Sequence, residues 1–121
     1  MATILIIDDS QVDLYTLKKI VEKAGHEVVT AEDGEHGLRS AKSAHPDLIL
    51  MDIIMPGISG YEATRKLRKD TETSEIPIIF VTSKTLETDR IWGLRQGAKA
   101  YITKPVNEQK LLSAIEESLA A

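Results

Sequence analysis

Three short, unbroken apolar runs constrain the fold of this chain more than any other feature. They are Ile4–Ile7, Leu48–Met51 and Ile78–Val81. Runs this short, with no alternation of polar and apolar residues, are typical of strands covered on both faces. Strands of that kind belong to parallel sheets, so we expect the three runs at the centre of one.

Four residues that can cap a helix each precede a helical pattern, in which apolar side chains recur at spacings of three and four. The four are Ser10, Asp33, Ser59 and Asn107. A further helix is predicted over Leu86–Gln96, with Ile91 and Leu94 facing inward. The central apolar runs are therefore separated by amphipathic helices.

Two less apolar segments, Glu27–Ala31 and Ala100–Ile102, complete the alternation of strands and helices. Because they are short or polar, we expect them at the edges of the sheet. Five strand–helix units predict an α/β fold, a (βα)5 flavodoxin-like doubly wound parallel sheet. The expected strand order is 2-1-3-4-5.

Polar side chains stand where four of these strands end. They are Asp8, Asp9, Asp52, Thr82, Ser83 and Lys104. The carboxyl ends of parallel strands lie on one side of a sheet, so these groups are expected to meet in one pocket at the topological switch point.

The chemistry of that pocket points to phosphoryl transfer. Three neighbouring carboxylates repel one another, and a hard divalent cation such as Mg²⁺ relieves that repulsion. Lys104 supplies a positive charge for a phosphoryl oxygen, and Thr82 supplies a hydroxyl donor. Since a carboxylate can act as a nucleophile, the set predicts an aspartyl phosphate on Asp52.

Composition excludes several other classes of protein. The chain has no cysteine, which excludes disulfides and thiolate zinc sites. Its net charge is −4 with scattered basic residues, which argues against a nucleic-acid partner. The N-terminus does not resemble a signal peptide and no apolar run reaches membrane-spanning length, so we expect a cytoplasmic protein without a membrane partner.

Four segments resemble the response-regulator receiver domain, the CheY-like module of two-component signalling. They are ILIIDDS (4–10), LILMDIIMPGISG (48–60), IIFVTS (78–83) and YITKP (101–105). The resemblance implies that Asp52 is the phosphoacceptor. It also implies that Asp8, Asp9, Asp52 and the backbone carbonyl of Ile54 hold Mg²⁺.

The same resemblance assigns roles around the phosphoryl group. Thr82 would be the switch hydroxyl beside Ser83, and Lys104 would pair with the phosphate. Tyr101 would be the aromatic residue that turns inward on activation. The peptide bond before Pro105 would be cis.

By resemblance, two further residues border the path of the water that hydrolyses the aspartyl phosphate. They are Ile54 and Lys84, which lie two positions beyond Asp52 and Thr82. An isoleucine side chain cannot hydrogen-bond a water, and a charged lysine cannot accept its proton. We therefore expect a phosphorylated form that lasts longer than in receivers with an amide and an acid at these places.

A narrower likeness is to the PilH-like single-domain regulators of type IV pilus twitching motility. It rests on DIIMPGISGYEATRKL, DTETSEIPII and ETDRIWGLRQGAKAYITKPV. It implies a single receiver domain over residues 1–121 without an output domain, either monomeric or a weak dimer. A histidine kinase would phosphorylate it in chemotaxis-like or pilus-motility signalling. The surface of the fourth helix, fifth strand and fifth helix would then bind a downstream protein.

Two alternatives stay open at this point. The protein could be a phosphate sink for the kinase, without a target of its own. From another class, it could be an aspartyl-phosphate phosphohydrolase. Haloacid-dehalogenase enzymes place a second acid two residues after the nucleophile, where this chain has Ile54. We therefore expect no enzyme beyond self-catalysed phosphoryl transfer and autodephosphorylation.

Overall fold

The computed structural model describes residues 1–120, in which five strands alternate with five helices. The elements are β1 Thr3–Ile7, α1 Gln11–Lys23, β2 Glu27–Ala31, α2 Gly34–Ala44, β3 Leu48–Met51, α3 Gly60–Lys69, β4 Ile78–Thr82, α4 Glu87–Arg95, β5 Ala100–Thr103 and α5 Glu108–Ala120. None of these helices is both long enough and apolar enough to cross a membrane.

The five strands form one parallel sheet in the order β2-β1-β3-β4-β5. This confirms the predicted fold class and strand order. β3 and β4 are buried along their whole length, as their apolar sequences require. The more polar β2 and β5 lie at the edges, where we expected them.

A separate apolar core covers each face of the sheet, because successive residues of a strand point to opposite faces. In β1, Leu5 and Ile7 pack into a core that includes residues of α2 and α3. Ile4 and Ile6 pack into a second core that includes residues of α1 and α5. Apolar cores therefore cover both faces of the sheet, and the polar residues lie at its carboxyl edge.

The predicted helix caps are confirmed. Each capping side chain accepts a hydrogen bond from the backbone N–H three residues further on, which satisfies a donor that a helix start otherwise leaves unpaired. The pairs are Ser10 with Asp13, Asp33 with His36, Ser59 with Glu62, and Asn107 with Lys110.

The predicted orientation of α4 is wrong. Ile91 is 43% exposed, and Leu94 is only half-buried. The buried residue of this helix is Gly93, because the ring of Tyr101 lies where a side chain at that position would be. A helix that faces the sheet with a glycine buries little apolar surface, so α4 is weakly attached to the core.

Gly60 is expected to tolerate no side chain, because it starts α3 against the backbone that follows β3. A Cβ at this position would overlap the carbonyl oxygen of Asp52 and lie 2.8 Å from the Cα of Ile53. Alanine normally stabilises a helix relative to glycine by about 0.5–1 kcal/mol. Gly60→Ala should instead lower the free energy of unfolding by about 1–3 kcal/mol, measured by denaturant titration.

Ser43→Ala is the control, because this serine is exposed on α2. Its unfolding free energy should stay within about 0.5 kcal/mol of wild type. A Gly60→Ala protein as stable as wild type would mean that α3 and the segment after β3 can separate at little cost.

Candidate functional site

The structure brings three predicted carboxylates together at the carboxyl edge of the sheet. Asp8 and Asp52 follow the paired residues Ile7 and Met51 of adjacent strands and are buried, whereas Asp9 is exposed. One oxygen from each of the three carboxylates lies within 4.8 Å of the others. Register between β1 and β3 therefore creates the cluster.

Hydrogen bonds hold both oxygens of the Asp52 carboxylate. Oδ1 accepts from the backbone N–H groups of Ile53 at 2.7 Å and Ile54 at 3.2 Å. Oδ2 accepts from the ammonium group of Lys104 at 2.9 Å. The carboxylate is thus fixed in orientation before any substrate arrives.

The Lys104 ammonium group lies among three carboxylates. It donates to Oδ2 of Asp8 at 2.8 Å, of Asp13 at 2.7 Å and of Asp52 at 2.9 Å. Three N–H donors thereby meet three acceptors. The peptide bond between Lys104 and Pro105 is cis.

The ionisation of these groups follows from burial and charge. Burial raises the pKa of Asp8 above its ordinary value, although Lys104 and the N–H of Ser10 oppose that rise. Burial disfavours the charged form of Lys104, but its bonds to Asp13, Asp8 and Asp52 outweigh this and raise its pKa. The bonds between Lys104 and the acids therefore favour the charged form of the lysine and partly offset the effect of burial on Asp8.

The site has an excess of negative charge, since Lys104 offsets one of four neighbouring carboxylates. Asp8, Asp9 and Asp52 offer the carboxylate oxygens that hard divalent cations prefer. Mg²⁺ binds through one or two carboxylates and several waters. The donor set therefore fits Mg²⁺, and these three residues are the ones that would hold it.

Thr82 and its neighbours form one border of the site. The buried hydroxyl of Thr82 accepts a long bond of 3.4 Å from the N–H of Lys84. The Lys84 ammonium group lies 3.4 Å from a carboxylate oxygen of Asp89. Ser83 and Ile54 are both exposed, Ile54 by 54%.

Tyr101 connects this border to α4. Its hydroxyl donates to the carbonyl oxygen of Lys84 at 2.8 Å, and its ring packs edge-on against Phe80 with centroids 6.3 Å apart. The ring also faces Gly93 of α4. Burial raises the pKa of Tyr101 to about 12, with nearby negative charges adding to the effect. The ring lies half-buried between the segment after β4 and the helix.

Sequence reasoning missed Asp13 and Asp89. Both lie in the first turn of a helix, where acids are common because they complement the helix dipole. That location gives no sign of a lysine partner 91 residues away, which is the separation between Asp13 and Lys104. Only the folded arrangement of α1 and the segment after β5 shows the contact.

The sequence has clear relatives. The pattern of the response regulator receiver domain family matches residues 4–116. The chain is 54% identical over 120 residues to Protein PilH of Pseudomonas aeruginosa, and the alignment covers 99% of each.

Solved structures show the same similarity. The chemotaxis response regulator CheY4 of Vibrio cholerae superposes with a TM-score of 0.90 at 31% identity, over 98% of each chain. The receiver domain of a sensor histidine kinase of Pseudomonas aeruginosa superposes with a TM-score of 0.91 at 30% identity, over 99% of this chain and 98% of that one. That structure has a magnesium ion coordinated in its active site cleft.

Removing the lysine charge should make stability depend strongly on pH. In Lys104→Ala, Asp8 and Asp52 stay buried without a counter-charge, which should cost about 3 kcal/mol of unfolding free energy near neutral pH. The pKa of Asp8 is already raised in the folded state. Without Lys104 it should rise further. Protonation of Asp8 then favours folding at low pH, and that contribution is lost as pH rises through the folded pKa.

The deficit of Lys104→Ala relative to wild type should therefore be smaller at about pH 5 than at about pH 7.5, in urea titrations with EDTA present. Lys99→Ala, which removes an exposed lysine, should show no such trend. A deficit independent of pH would contradict the role of Lys104 as the counter-charge of these acids.

Proposed function

This chain belongs to the response regulator receiver domain family, and from that premise we propose that it is a stand-alone response regulator phosphorylated on Asp52. A histidine kinase would be the phosphodonor. The observation that carries the proposal is the Asp52 carboxylate, held at both oxygens beside two further acids and a lysine.

Phosphoryl transfer would form a P–O bond to Asp52 and break the P–N bond to the kinase histidine, whose nitrogen leaves with the electron pair. Asp8, Asp9 and Asp52 would hold Mg²⁺, together with the backbone carbonyl of Ile54. When bound, Mg²⁺ supplies positive charge against the carboxylate and phosphoryl oxygens.

The protein's own residues would contribute by positioning the Asp52 carboxylate and the phosphoryl group. The N–H groups of Ile53 and Ile54 keep Asp52 Oδ1 in place, so the carboxylate does not rotate away from the donor. Lys104 already contacts Asp52 Oδ2 and would pair with a phosphoryl oxygen during the transfer and in the acyl phosphate that results.

Thr82 and Tyr101 would couple phosphorylation of Asp52 to a rearrangement of the protein surface. A phosphoryl group adds strong acceptors, and the Thr82 hydroxyl at the end of β4 would donate a hydrogen bond to one of them. Tyr101 is bonded to the Lys84 carbonyl, two residues beyond Thr82. A shift of this segment would therefore reposition Tyr101 against Gly93 of α4 and remodel the face of α4, β5 and α5.

That face would bind a downstream protein, and the 54% identity to Protein PilH favours pilus-motility signalling as the pathway. We propose that the protein acts in the cytoplasm as a monomer. A phosphate sink would keep the same Asp52 chemistry but would show no phosphorylation-dependent partner. A phosphohydrolase is disfavoured, because exposed Ile54 replaces the second acid that such an enzyme needs.

Acetyl phosphate or a phosphorylated histidine kinase domain, with Mg²⁺, should add one acid-labile phosphate to the wild-type protein. Asp52→Asn should add none, because an amide is not a nucleophile, and EDTA should prevent labelling of the wild type. Intact-mass spectrometry measures both. Asp33→Asn is the matched control, since asparagine caps α2 as well as aspartate does. Labelling of Asp52→Asn at the wild-type level would remove the proposal.

The phosphorylated form should be long-lived, because Ile54 and Lys84 do not orient a hydrolytic water. Ile54→Asn combined with Lys84→Glu should speed phosphate loss about tenfold, which corresponds to about 1.4 kcal/mol of barrier. A phosphate-release time course after removal of the donor, in excess Mg²⁺, measures this. Ile54→Val, which keeps an apolar side chain, should behave as wild type. A double variant no faster than wild type would show that these side chains do not control the water.

A further inference from the structure

Asp13 belongs to a closed ring of contacts that joins α1 to the candidate site. The N–H of Ser10 donates to Asp8 Oδ1 at 2.9 Å, and the Ser10 hydroxyl accepts from the N–H of Asp13 at 3.2 Å. Lys104 then joins Asp13 at 2.7 Å to Asp8 at 2.8 Å. The first turn of α1 therefore places the Asp13 carboxylate, and Lys104 makes its shortest hydrogen bond to it.

The three carboxylates that bond Lys104 have different roles in the proposed reaction. Asp8 and Asp52 would bind Mg²⁺, and Asp52 would also become phosphorylated, forming an acyl phosphate. A carboxylate that is shared with a metal or phosphorylated is a weaker acceptor for the lysine. Asp13 lies outside the group of acids that could hold the metal, so its carboxylate stays fully available throughout.

Resting on the proposed function, we infer that Asp13 is the positioning residue for Lys104 during phosphoryl transfer. It keeps the ammonium group beside Asp52 when metal and phosphoryl group occupy the other two partners. Without Asp13, the long lysine side chain would regain rotational freedom and would pair less often with the incoming phosphoryl oxygens.

Electrostatic repulsion alone predicts that removing the Asp13 charge speeds labelling, the opposite of what the inference predicts. The inference is therefore testable. Asp13 is a negative charge close to the place where an anionic phosphodonor must arrive, and its side chain is 38% exposed. Neutralising it would reduce repulsion and speed labelling if charge alone mattered. If Asp13 acts by holding Lys104, neutralising it slows labelling.

Two variants separate position from charge. Asp13→Ala and Asp13→Asn both remove one negative charge, but the asparagine oxygen can still accept a bond from Lys104. The initial rate of labelling by acetyl phosphate in saturating Mg²⁺ should fall about tenfold in Asp13→Ala. Asp13→Asn should recover part of that loss. Glu22→Ala, an exposed acid at the other end of α1, should label at the wild-type rate.

A second readout needs no phosphorylation. The ammonium protons of Lys104, bonded to three carboxylates, should exchange slowly and give a lysine NH₃⁺ signal in ¹⁵N NMR of the wild-type protein. The signal should broaden or vanish in Asp13→Ala and return in Asp13→Asn. A signal unchanged in Asp13→Ala would show that Asp13 does not hold the lysine.

A double variant tests whether Asp13 acts through Lys104. Lys104→Ala and the double variant Asp13→Ala with Lys104→Ala should label at the same rate, since the residue to be positioned is gone. If the wild type is not labelled at all, the proposed function fails. If the wild type is labelled and Asp13→Ala is equally fast or faster, the inference about Asp13 is wrong while the proposed function stands.

Discussion

The contact on which the site depends is one ammonium group shared by three carboxylates. Lys104 follows the edge strand β5, whereas Asp8, Asp13 and Asp52 come from the end of β1, from α1 and from the end of β3. Two of these carboxylates are buried, and a buried carboxylate without a partner is costly. The lysine therefore supplies the positive charge for acids that the register of β1 and β3 and the first turn of α1 bring together.

Most of the fold could be predicted, because its determinants are local. Apolar runs of four residues leave a strand few environments other than the middle of a parallel sheet. Capping side chains lie three residues from the groups they bond, so Ser10 and Ser59 can be recognised in the sequence itself. The convergence of Asp8 and Asp52 then follows from parallel topology, which brings strand ends to one edge without any knowledge of side-chain positions.

What could not be predicted depends on contacts between distant segments. The pairing of Asp13 with Lys104 joins residues 91 positions apart, and the acid looks like an ordinary first-turn residue of a helix. The predicted orientation of α4 is wrong for a similar reason. Ile91 and Leu94 follow a helical spacing, yet the position facing the sheet belongs to Gly93, because the ring of Tyr101 needs the room. The spacing of apolar residues within α4 carries no information about an aromatic ring that β5 places against the helix.

The glycine that faces the sheet also leaves α4 with little apolar surface to bury. Its start has no side-chain cap, and Gly93 is its one buried residue within the described chain, so α4 buries little of its surface against the sheet. Tyr101 connects α4 to the end of β4, because its ring lies against Gly93 and its hydroxyl donates to the Lys84 carbonyl, two residues beyond Thr82. Because α4 has few contacts with the core, a small shift of Tyr101 would change a large share of the contacts that hold the helix against the sheet. Trp92 of α4 and Leu86 at its N-cap are both exposed, so a movement of the helix would alter an apolar surface.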